Sequence, residues 1–215
     1  MFKKLVAILI LCASSSLFAI SEGKEYFKLA PNEQLPNSEN SVIELFSYGC
    51  IHCYNQFRNG TLKTISNSLP NLKYEEWQVR EMGQFGEDFV KILAYAKMVD
   101  EKNGLNSSLD SKSSFHEIVG SYFVAYFQYR LSWRTQRDFY SIALNVLKVT
   151  QDDIEKYAKT RGKSYIDRVH SAINVAKKSG TPAFVVNGKY LVNIEAVRSI
   201  DDLTRIIKEL SALKD

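Results

Sequence analysis

The chain has 215 residues, 45% hydrophobic and 12% aromatic, which is enough for a packed core in one domain or in one domain with a large insertion. This composition excludes an intrinsically disordered chain. The formal net charge is only +4 and no long basic run occurs, so nucleic acid is not expected as a partner.

The first 19 residues are typical of a secretory signal peptide. The basic start MFKK precedes the apolar run LVAILILCASSSLFA, which is too short for a comfortable membrane span. We predict cleavage after Ala19, which removes Lys3 and Lys4 and lowers the net charge to about +2. Cys12 is lost with this segment, so the exported chain keeps two cysteines, in a compartment that permits disulfides.

Strand and helix patterns alternate after this segment. The run SVIELFSY is rich in β-formers and predicts a buried strand that ends at Gly49. Apolar residues from Tyr54 to Leu69 then follow helical spacing, and Pro70 closes the unit. We therefore predict a strand that leads directly into one helix, followed by a second strand in LKYEEWQV.

Helical patterns dominate from about Gly83 to about Gly162. Thr135, with Asp138 three residues on, and Thr150 are predicted N-caps in this block. We expect most of a strongly aromatic run near its middle to be core, with one or two members facing the cysteines. The run contains Tyr122, Phe123, Tyr126, Phe127, Tyr129 and Trp133. Beyond the block, SYIDRVHSAINVAKKSG predicts one further long helix that a glycine ends.

Strand patterns return near the C-terminal end. Two β-rich runs in TPAFVVNGKYLVN flank Asn187 and Gly188, a strong hairpin signal. Ser199 is the predicted N-cap of an amphipathic last helix. The order of strand, helix, strand, helices, hairpin and helix predicts an α/β domain with a helical insertion.

The two remaining cysteines, Cys50 and Cys53, could hold a metal, close a loop or carry out redox chemistry. Zinc requires four ligands, but the sequence has no second Cys-x-x-Cys, and His116 and His170 lack ligand spacing. A disulfide that encloses two residues closes a very small loop and would add little stability. Redox chemistry is therefore the interpretation that we favour.

The position of Cys50 supports redox chemistry. A helix that begins directly after a strand directs unpaired backbone N–H groups and the positive end of its dipole at this sulfur. Both stabilise the thiolate, which is the reactive form of cysteine. His52, when protonated, would add a second positive group beside the sulfur.

The residues around the pair resemble the DsbA-type thiol oxidases of the bacterial periplasm, within the thioredoxin superfamily. The family motif is Cys-Pro-His-Cys-Tyr, and this chain has Cys-Ile-His-Cys-Tyr at 50–54. Glu44 matches the acidic residue that the family has six positions before the first cysteine. The segment GTPAFVVNGKYLVN resembles the family's cis-proline loop and hairpin, with Pro182 at the cis position.

The resemblance covers nearly the whole exported chain and implies a thioredoxin fold with an inserted helical domain. Residues 20–82 and 163–215 would form the thioredoxin-like domain, and residues 83–162 the insertion. The implied protein is a monomeric periplasmic oxidase that introduces disulfide bonds into exported proteins with reduced thiols. Its redox group would be its own cysteine disulfide, without a metal or another cofactor. A DsbB-type membrane oxidase linked to quinone would re-oxidise it.

The resemblance also implies roles for the site residues. Cys50 is the sulfur that a substrate attacks, and Cys53 is its buried partner and the leaving group. Glu44 is a proton acceptor or relay beneath Cys53, although a strand-edge carboxylate facing water stays an alternative. Pro182 presents backbone groups to an extended substrate, and Thr181 could add a side-chain hydrogen bond.

Two substrate-contacting positions depart from the family pattern. Ile51 replaces the usual proline of the motif, and Thr181 replaces the usual valine before the cis-proline. Threonine at the second position is commoner in isomerase and reductase relatives. A disulfide isomerase or reductase of the same fold therefore stays an alternative, as does a non-catalytic exported binding module.

Overall fold

The structure, a computed structural model, describes residues 20–213. The predicted signal peptide, with Cys12 and its cleavage site after Ala19, lies outside these residues. Five strands form one sheet in the described part of the chain: β1 (Tyr26–Lys28), β2 (Ser41–Phe46), β3 (Lys73–Gln78), β4 (Ala183–Val186) and β5 (Tyr190–Val192).

The sheet has the order β1-β5-β4-β2-β3, so that β2 lies inside it. β2 pairs with β3 in parallel and with β4 antiparallel, and all six of its residues are buried. A strand covered on both faces requires a nearly continuous apolar run, which SVIELF supplies apart from Ser41 and Glu44. The predicted α/β fold class is confirmed.

Helices cover both faces of the sheet. They are α1 (Ile51–Arg58), α2 (Thr61–Ser68), α3 (Gly86–Lys102), α4 (Ser114–Phe123), α5 (Gln136–Leu147), α6 (Gln151–Lys159), α7 (Lys163–His170), α8 (Ile173–Ser179) and α9 (Ile200–Ala212). A π-helical turn, Val124–Gln128, extends α4. No helix between residues 20 and 213 combines the length and the apolar character that a membrane span requires.

Side chains alternate between the two faces of β2. Ile43 and Leu45 belong to an apolar cluster with residues of α7 and α8. On the other face, Val42 packs with residues of α2 and α9, whereas Phe46 packs with Cys53 of α1 and with α3, α4 and α5. The buried side of helix α1 therefore packs in the same cluster as the helices α3–α5. The boundaries of an inserted domain at residues 83 and 162 stay a prediction.

Several local signals are confirmed. Thr135 and Thr150 each form a capping box with the aspartate three residues on, and Ser199 caps α9. Asn187 and Gly188 both have positive φ, as a tight hairpin turn between β4 and β5 requires. These signals were readable because each depends on residues that are neighbours in sequence.

The prediction of one helix after the cysteines was wrong. Instead, α1 ends at Arg58 and α2 begins at Thr61, because Gly60 between them adopts φ 60° and turns the chain in a new direction. The predicted long helix over SYIDRVHSAINVAKKSG is likewise two helices. At that break, the Ser171 hydroxyl and backbone N–H both donate to the Arg168 carbonyl oxygen, which displaces the regular helical bond.

One strand escaped the sequence analysis. β1 has only three residues and lies at the edge of the sheet, where it pairs antiparallel with β5. Its register sets Tyr26 opposite Val192, a contact between segments more than 160 residues apart. A strand this short has no periodicity of its own, so only the pairing defines it.

Candidate active site

Cys50 is the N-cap of α1. Its backbone is extended, with φ −97° and ψ 114°, and its Sγ accepts the backbone N–H of Cys53 at 3.2 Å. A capping serine or aspartate uses an oxygen in the same way to satisfy an unpaired N–H of the first helical turn. The fold therefore holds this sulfur at the positive end of the helix dipole.

The site lowers the pKa of Cys50 from 9.0 to about 5. The largest cause is the hydrogen bond with the Cys53 side chain, and the Thr181 side chain and the backbone N–H groups of Cys53 and His52 act in the same direction. Burial of the half-exposed sulfur opposes them. The thiol form can also donate to the Thr181 carbonyl oxygen at 3.2 Å, but the several donors that favour the thiolate prevail.

Cys53 has the opposite character. Its side chain is only 1% exposed and packs in the apolar cluster between α1 and the helices α3–α5. Burial raises its pKa well above the ordinary value, and the hydrogen bond and the charge of Cys50 raise it further. Both cysteines are free thiols in the structure. The pair thus combines an accessible thiolate with a buried thiol.

Thr181 and Pro182 lie beside the cysteines, although 131 residues separate Thr181 from Cys50. The pairing of β4 with β2, which sets Ala183 opposite Leu45, brings the loop to this position. The Thr181–Pro182 peptide bond is cis. The Thr181 hydroxyl also donates to the Met82 sulfur at 3.7 Å.

Exposed apolar side chains lie next to the cysteine motif. Ile51 is 47% exposed at the start of α1. The π-helical turn presents Tyr126, whose ring lies 3.8 Å from the position that a Cβ on Gly49 would occupy. π-helical turns are frequent at functional sites. Tyr129 and Leu131 are also exposed just beyond this turn.

The aromatic run divides between core and surface. Tyr122 and Phe123 are fully buried, and Trp133 stacks on Tyr126 with ring centroids 6.2 Å apart. Tyr126 reaches the surface next to Gly49, so this member of the run lies near the cysteines. No pattern in the sequence indicates which aromatic residue lies near the cysteines, because its position depends on the π-helical turn.

Glu44 is buried in the middle of the sheet, with a side chain 4% exposed. Burial, and to a smaller extent the charge of Cys50, raises its pKa from 4.5 to about 8. It belongs to an inner strand, so it is not a carboxylate at the edge of the sheet. Its role in proton transfer stays a prediction.

Glu76 is a second buried carboxyl that the sequence analysis missed. The parallel register sets it directly opposite Glu44, and its pKa is raised well above 4.5, first by burial and then by the charge of Glu44. Because side chains alternate along KYEEWQV, either Glu75 or Glu76 had to lie on the face of the sheet that carries Glu44. That alternation alone could not say which one, or which residue it would face.

Comparisons with known proteins agree with this site. No protein-family model matches the sequence. The thiol:disulfide interchange protein DsbL of Escherichia coli O6:H1 is 27% identical over 217 residues, which cover 99% of this chain and 96% of that protein. The thiol:disulfide interchange protein DsbA of Haemophilus influenzae is 23% identical over 199 residues, 90% of this chain and 87% of that protein.

The fold has close counterparts among solved structures. The crystal structure of Salmonella enterica serovar Typhimurium DsbL superposes with a TM-score of 0.83 and 27% identity, covering 91% of this chain and 99% of that one. The fold, the cysteine pair and these likenesses define a disulfide oxidoreductase with a thioredoxin fold. Within the thioredoxin superfamily, the chain is similar over nearly its whole length to the DsbA-type oxidoreductases.

Proposed function

We propose that the protein oxidises thiols of exported proteins in the periplasm, and so introduces disulfide bonds into them. The observation that carries this proposal is the opposite shift of two pKa values, lowered to about 5 for Cys50 and raised for Cys53. Stabilising the Cys50 thiolate stabilises the reduced protein, which makes its disulfide a stronger oxidant.

The reaction begins with the oxidised protein. A substrate thiolate attacks the Cys50 sulfur, a new S–S bond joins substrate to Cys50, and the Cys50–Cys53 bond breaks. Its electron pair stays on Cys53, which takes up a proton. A second substrate thiolate then attacks the substrate sulfur of this mixed disulfide, and Cys50 leaves as the thiolate. The substrate has lost two electrons and the protein holds two thiols.

Glu44 is the proposed proton donor to Cys53. Its pKa of about 8 keeps this carboxyl protonated at neutral pH, so it can supply a proton to a buried thiolate. It lies on the face of β2 that also carries Phe46, which belongs to the same buried cluster as Cys53. In the reverse step, which re-oxidises the protein, the carboxylate would accept the same proton.

The surroundings of Cys50 suit an extended, unfolded substrate. Ile51, which follows Cys50, and Tyr126, which lies against Gly49, offer exposed apolar contacts near the sulfur. The backbone of Thr181 and Pro182 would present hydrogen-bonding groups, as in other strand-like peptide complexes. His52 is exposed beside the sulfur and would meet the substrate from the helix.

Export and re-oxidation complete the proposal. The signal-peptide pattern of residues 1–19 supports a periplasmic location. After each turnover the dithiol would pass its electrons to a DsbB-type membrane oxidase linked to quinone. The Cys50–Cys53 disulfide would then be the only redox group that the chain requires.

Thr181 favours a second candidate, a disulfide isomerase or reductase. Threonine before the cis-proline is commoner in isomerase and reductase relatives, and it would change how the loop contacts substrate, whereas its effect of lowering the pKa of Cys50 suits the oxidase. The two activities differ in their requirement for a redox buffer. The oxidised protein should introduce disulfides into a reduced dithiol peptide without glutathione, whereas an isomerase should rescue scrambled ribonuclease.

Equilibration with glutathione tests the direction of the reaction. We expect the equilibrium to favour the reduced protein and oxidised glutathione. An equilibrium that favours the protein disulfide would refute the oxidase and support a reductase. Binding of unfolded exported proteins that is unchanged in Cys50→Ser, with no exchange by the native protein, would instead indicate a binding module.

A further inference from the structure

Glu44 and Glu76 form a buried carboxyl pair. Adjacent parallel strands lie about 4.8 Å apart, and residues in register point to the same face. The face that carries this pair is otherwise apolar near Glu44: Val42 and Phe46 flank it on β2, and Phe184 lies opposite it on β4. The two side chains are 4% and 7% exposed.

No positive group neutralises the pair from within the sheet. Among the described residues, neither carboxyl has a salt bridge or a side-chain hydrogen bond, and only burial and negative charge act on their pKa values. Two neighbouring carboxyls in such a place cannot both ionise at neutral pH, so they titrate as a coupled unit that retains a proton.

A pocket of about 340 Å³ connects the pair with the surface. Both carboxyls line it, together with α1, α2, the segment after α3 and His116 of α4. The cations Arg58 and Lys63 are at its exposed part. Burial lowers the pKa of His116, so this imidazole is largely neutral at pH 7 and adds little charge to the pocket.

The pocket matters because Cys53 has no direct access to water. A proton that Glu44 gives to the Cys53 sulfur must be replaced before the next turnover. Glu76 is the nearest acid on the same face, and its backbone N–H donates to the Ser108 hydroxyl on the pocket wall at 3.1 Å. The arrangement therefore runs from Glu44, on the strand face that packs in the Cys53 cluster through Phe46, to Glu76 and a solvent-connected space.

We propose that Glu76 is a positioning residue for thiol–disulfide exchange, which shares a proton with Glu44 and replenishes it from the pocket. This inference rests on the proposed function, because it extends the proton transfer to Cys53. When Cys53 leaves as a thiolate, Glu44 loses a proton to it and receives the Glu76 proton. The resulting Glu76 carboxylate is then reprotonated from water in the pocket, with no redox partner involved.

Proton sharing between Glu44 and Glu76 can be tested by a measurement that does not depend on thiol–disulfide exchange. Carbon-13 NMR of labelled glutamate carboxyls in the reduced protein would follow Glu44 and Glu76 between pH 4 and 10. We expect two mutually dependent titrations in the native protein. In Glu44→Gln, the pKa of Glu76 should fall by at least about one unit, because the neighbouring charge is gone. An unchanged Glu76 titration would refute proton sharing.

The kinetic test uses Glu76→Gln, which keeps the volume of the side chain but cannot exchange a proton. The probe is reduced glutathione, and its attack on the oxidised protein is followed by acid quench and mass spectrometry. With each rate divided by the glutathione thiolate fraction, we expect attack about three- to tenfold slower at pH 7 than in the native protein. The decline at high pH should begin at least about one pH unit lower.

Glu117→Gln is the matched control, because Glu117 is exposed on α4 and the charge change is the same. It should leave both the rate and the pH profile unchanged. A pH profile of Glu76→Gln that superimposes on the native one would overturn the proposal. An equilibrium with glutathione that favours the protein disulfide would refute only the oxidase, since the carboxyl titrations are measured independently.

Discussion

The start of α1 and the middle of β2 shift the pKa values of their ionisable groups in opposite directions. Cys50 and Glu44 are six residues apart, yet the pKa of Cys50 falls to about 5 and that of Glu44 rises to about 8. Hydrogen-bond donors surround the sulfur, whereas apolar side chains and another carboxyl surround Glu44. The usual order of acidity of a thiol and a carboxylic acid is thereby reversed.

This reversal gives each region its part in the reaction. Cys50 leaves the mixed disulfide as a thiolate in the second step, and the N-terminus of α1 stabilises its negative charge. The group that supplies a proton must keep it at neutral pH, which burial in the sheet provides. One short segment, from Glu44 to Cys50, therefore contains both a charged leaving group and a protonated acid.

The largest effect is expected from the sulfur at the start of α1. Cys50→Ser should reduce oxidation of a dithiol peptide by at least about 10³-fold, to the uncatalysed rate, because the attacked atom is absent. Cys53→Ser is the control, since it keeps Cys50, whose thiolate should attack the oxidised, disulfide form of the same peptide and stay joined to one of its sulfurs in a mixed disulfide that mass spectrometry detects. A mixed disulfide on Cys50→Ser would mean that Cys53 is the attacked sulfur.

Removing the acid from β2 should stabilise the protein at neutral pH. The pKa of Glu44 is raised when folded, so its contribution is present below pH 4.5 and is lost as the pH rises toward 8. Glu44→Gln should therefore gain roughly 2–3 kcal/mol at pH 7 and nothing at pH 4. Urea unfolding at both pH values measures this, and an equal gain at both would contradict the assigned cause.

The third effect compares the reduced and oxidised proteins. The pKa of Cys50 is lowered in the folded state, so its stabilisation of the reduced form is complete above the ordinary thiol pKa and is lost as the pH falls through about 5. At pH 7 the reduced protein should be more stable by roughly 1–2 kcal/mol, with allowance for the half-exposed sulfur.

Urea unfolding of both redox forms between pH 4 and 8 measures this difference. The disulfide itself should contribute little, because it encloses only two residues. The advantage of the reduced form should shrink toward pH 5. An oxidised form that is more stable than the reduced form at pH 7 would refute the proposal that the protein is a strong thiol oxidant.

The smallest effect is expected at the loop before β4. Thr181→Val should raise the pKa of Cys50 by about one unit or less, because it removes one of several groups that favour the thiolate. Titration of thiolate absorbance in the reduced protein measures the shift. Thr64→Val, on the exposed part of α2, should leave the pKa unchanged. A decrease in the pKa of Thr181→Val would contradict this role of the side chain.

Short-range signals accounted for much of the fold. The caps of α5, α6 and α9 and the turn at Asn187–Gly188 depend on residues within three positions of one another. The helix ends at Gly60 and Ser171 were not predicted, because apolar residues at helical spacing continue across both positions. β1 escaped because pairing with a distant strand defines it.

The sequence by itself determined that Cys50 would lie near the N-terminus of a helix after a buried strand, because an apolar run, Gly49 and the cysteine motif are consecutive. It also supplied Glu44 and the resemblance that implied exchange chemistry. Only the tertiary structure decided that Glu76, rather than Glu75, would face Glu44. The reason is that register between strands is fixed by packing of the whole sheet, and a shift of one residue would exchange the two faces.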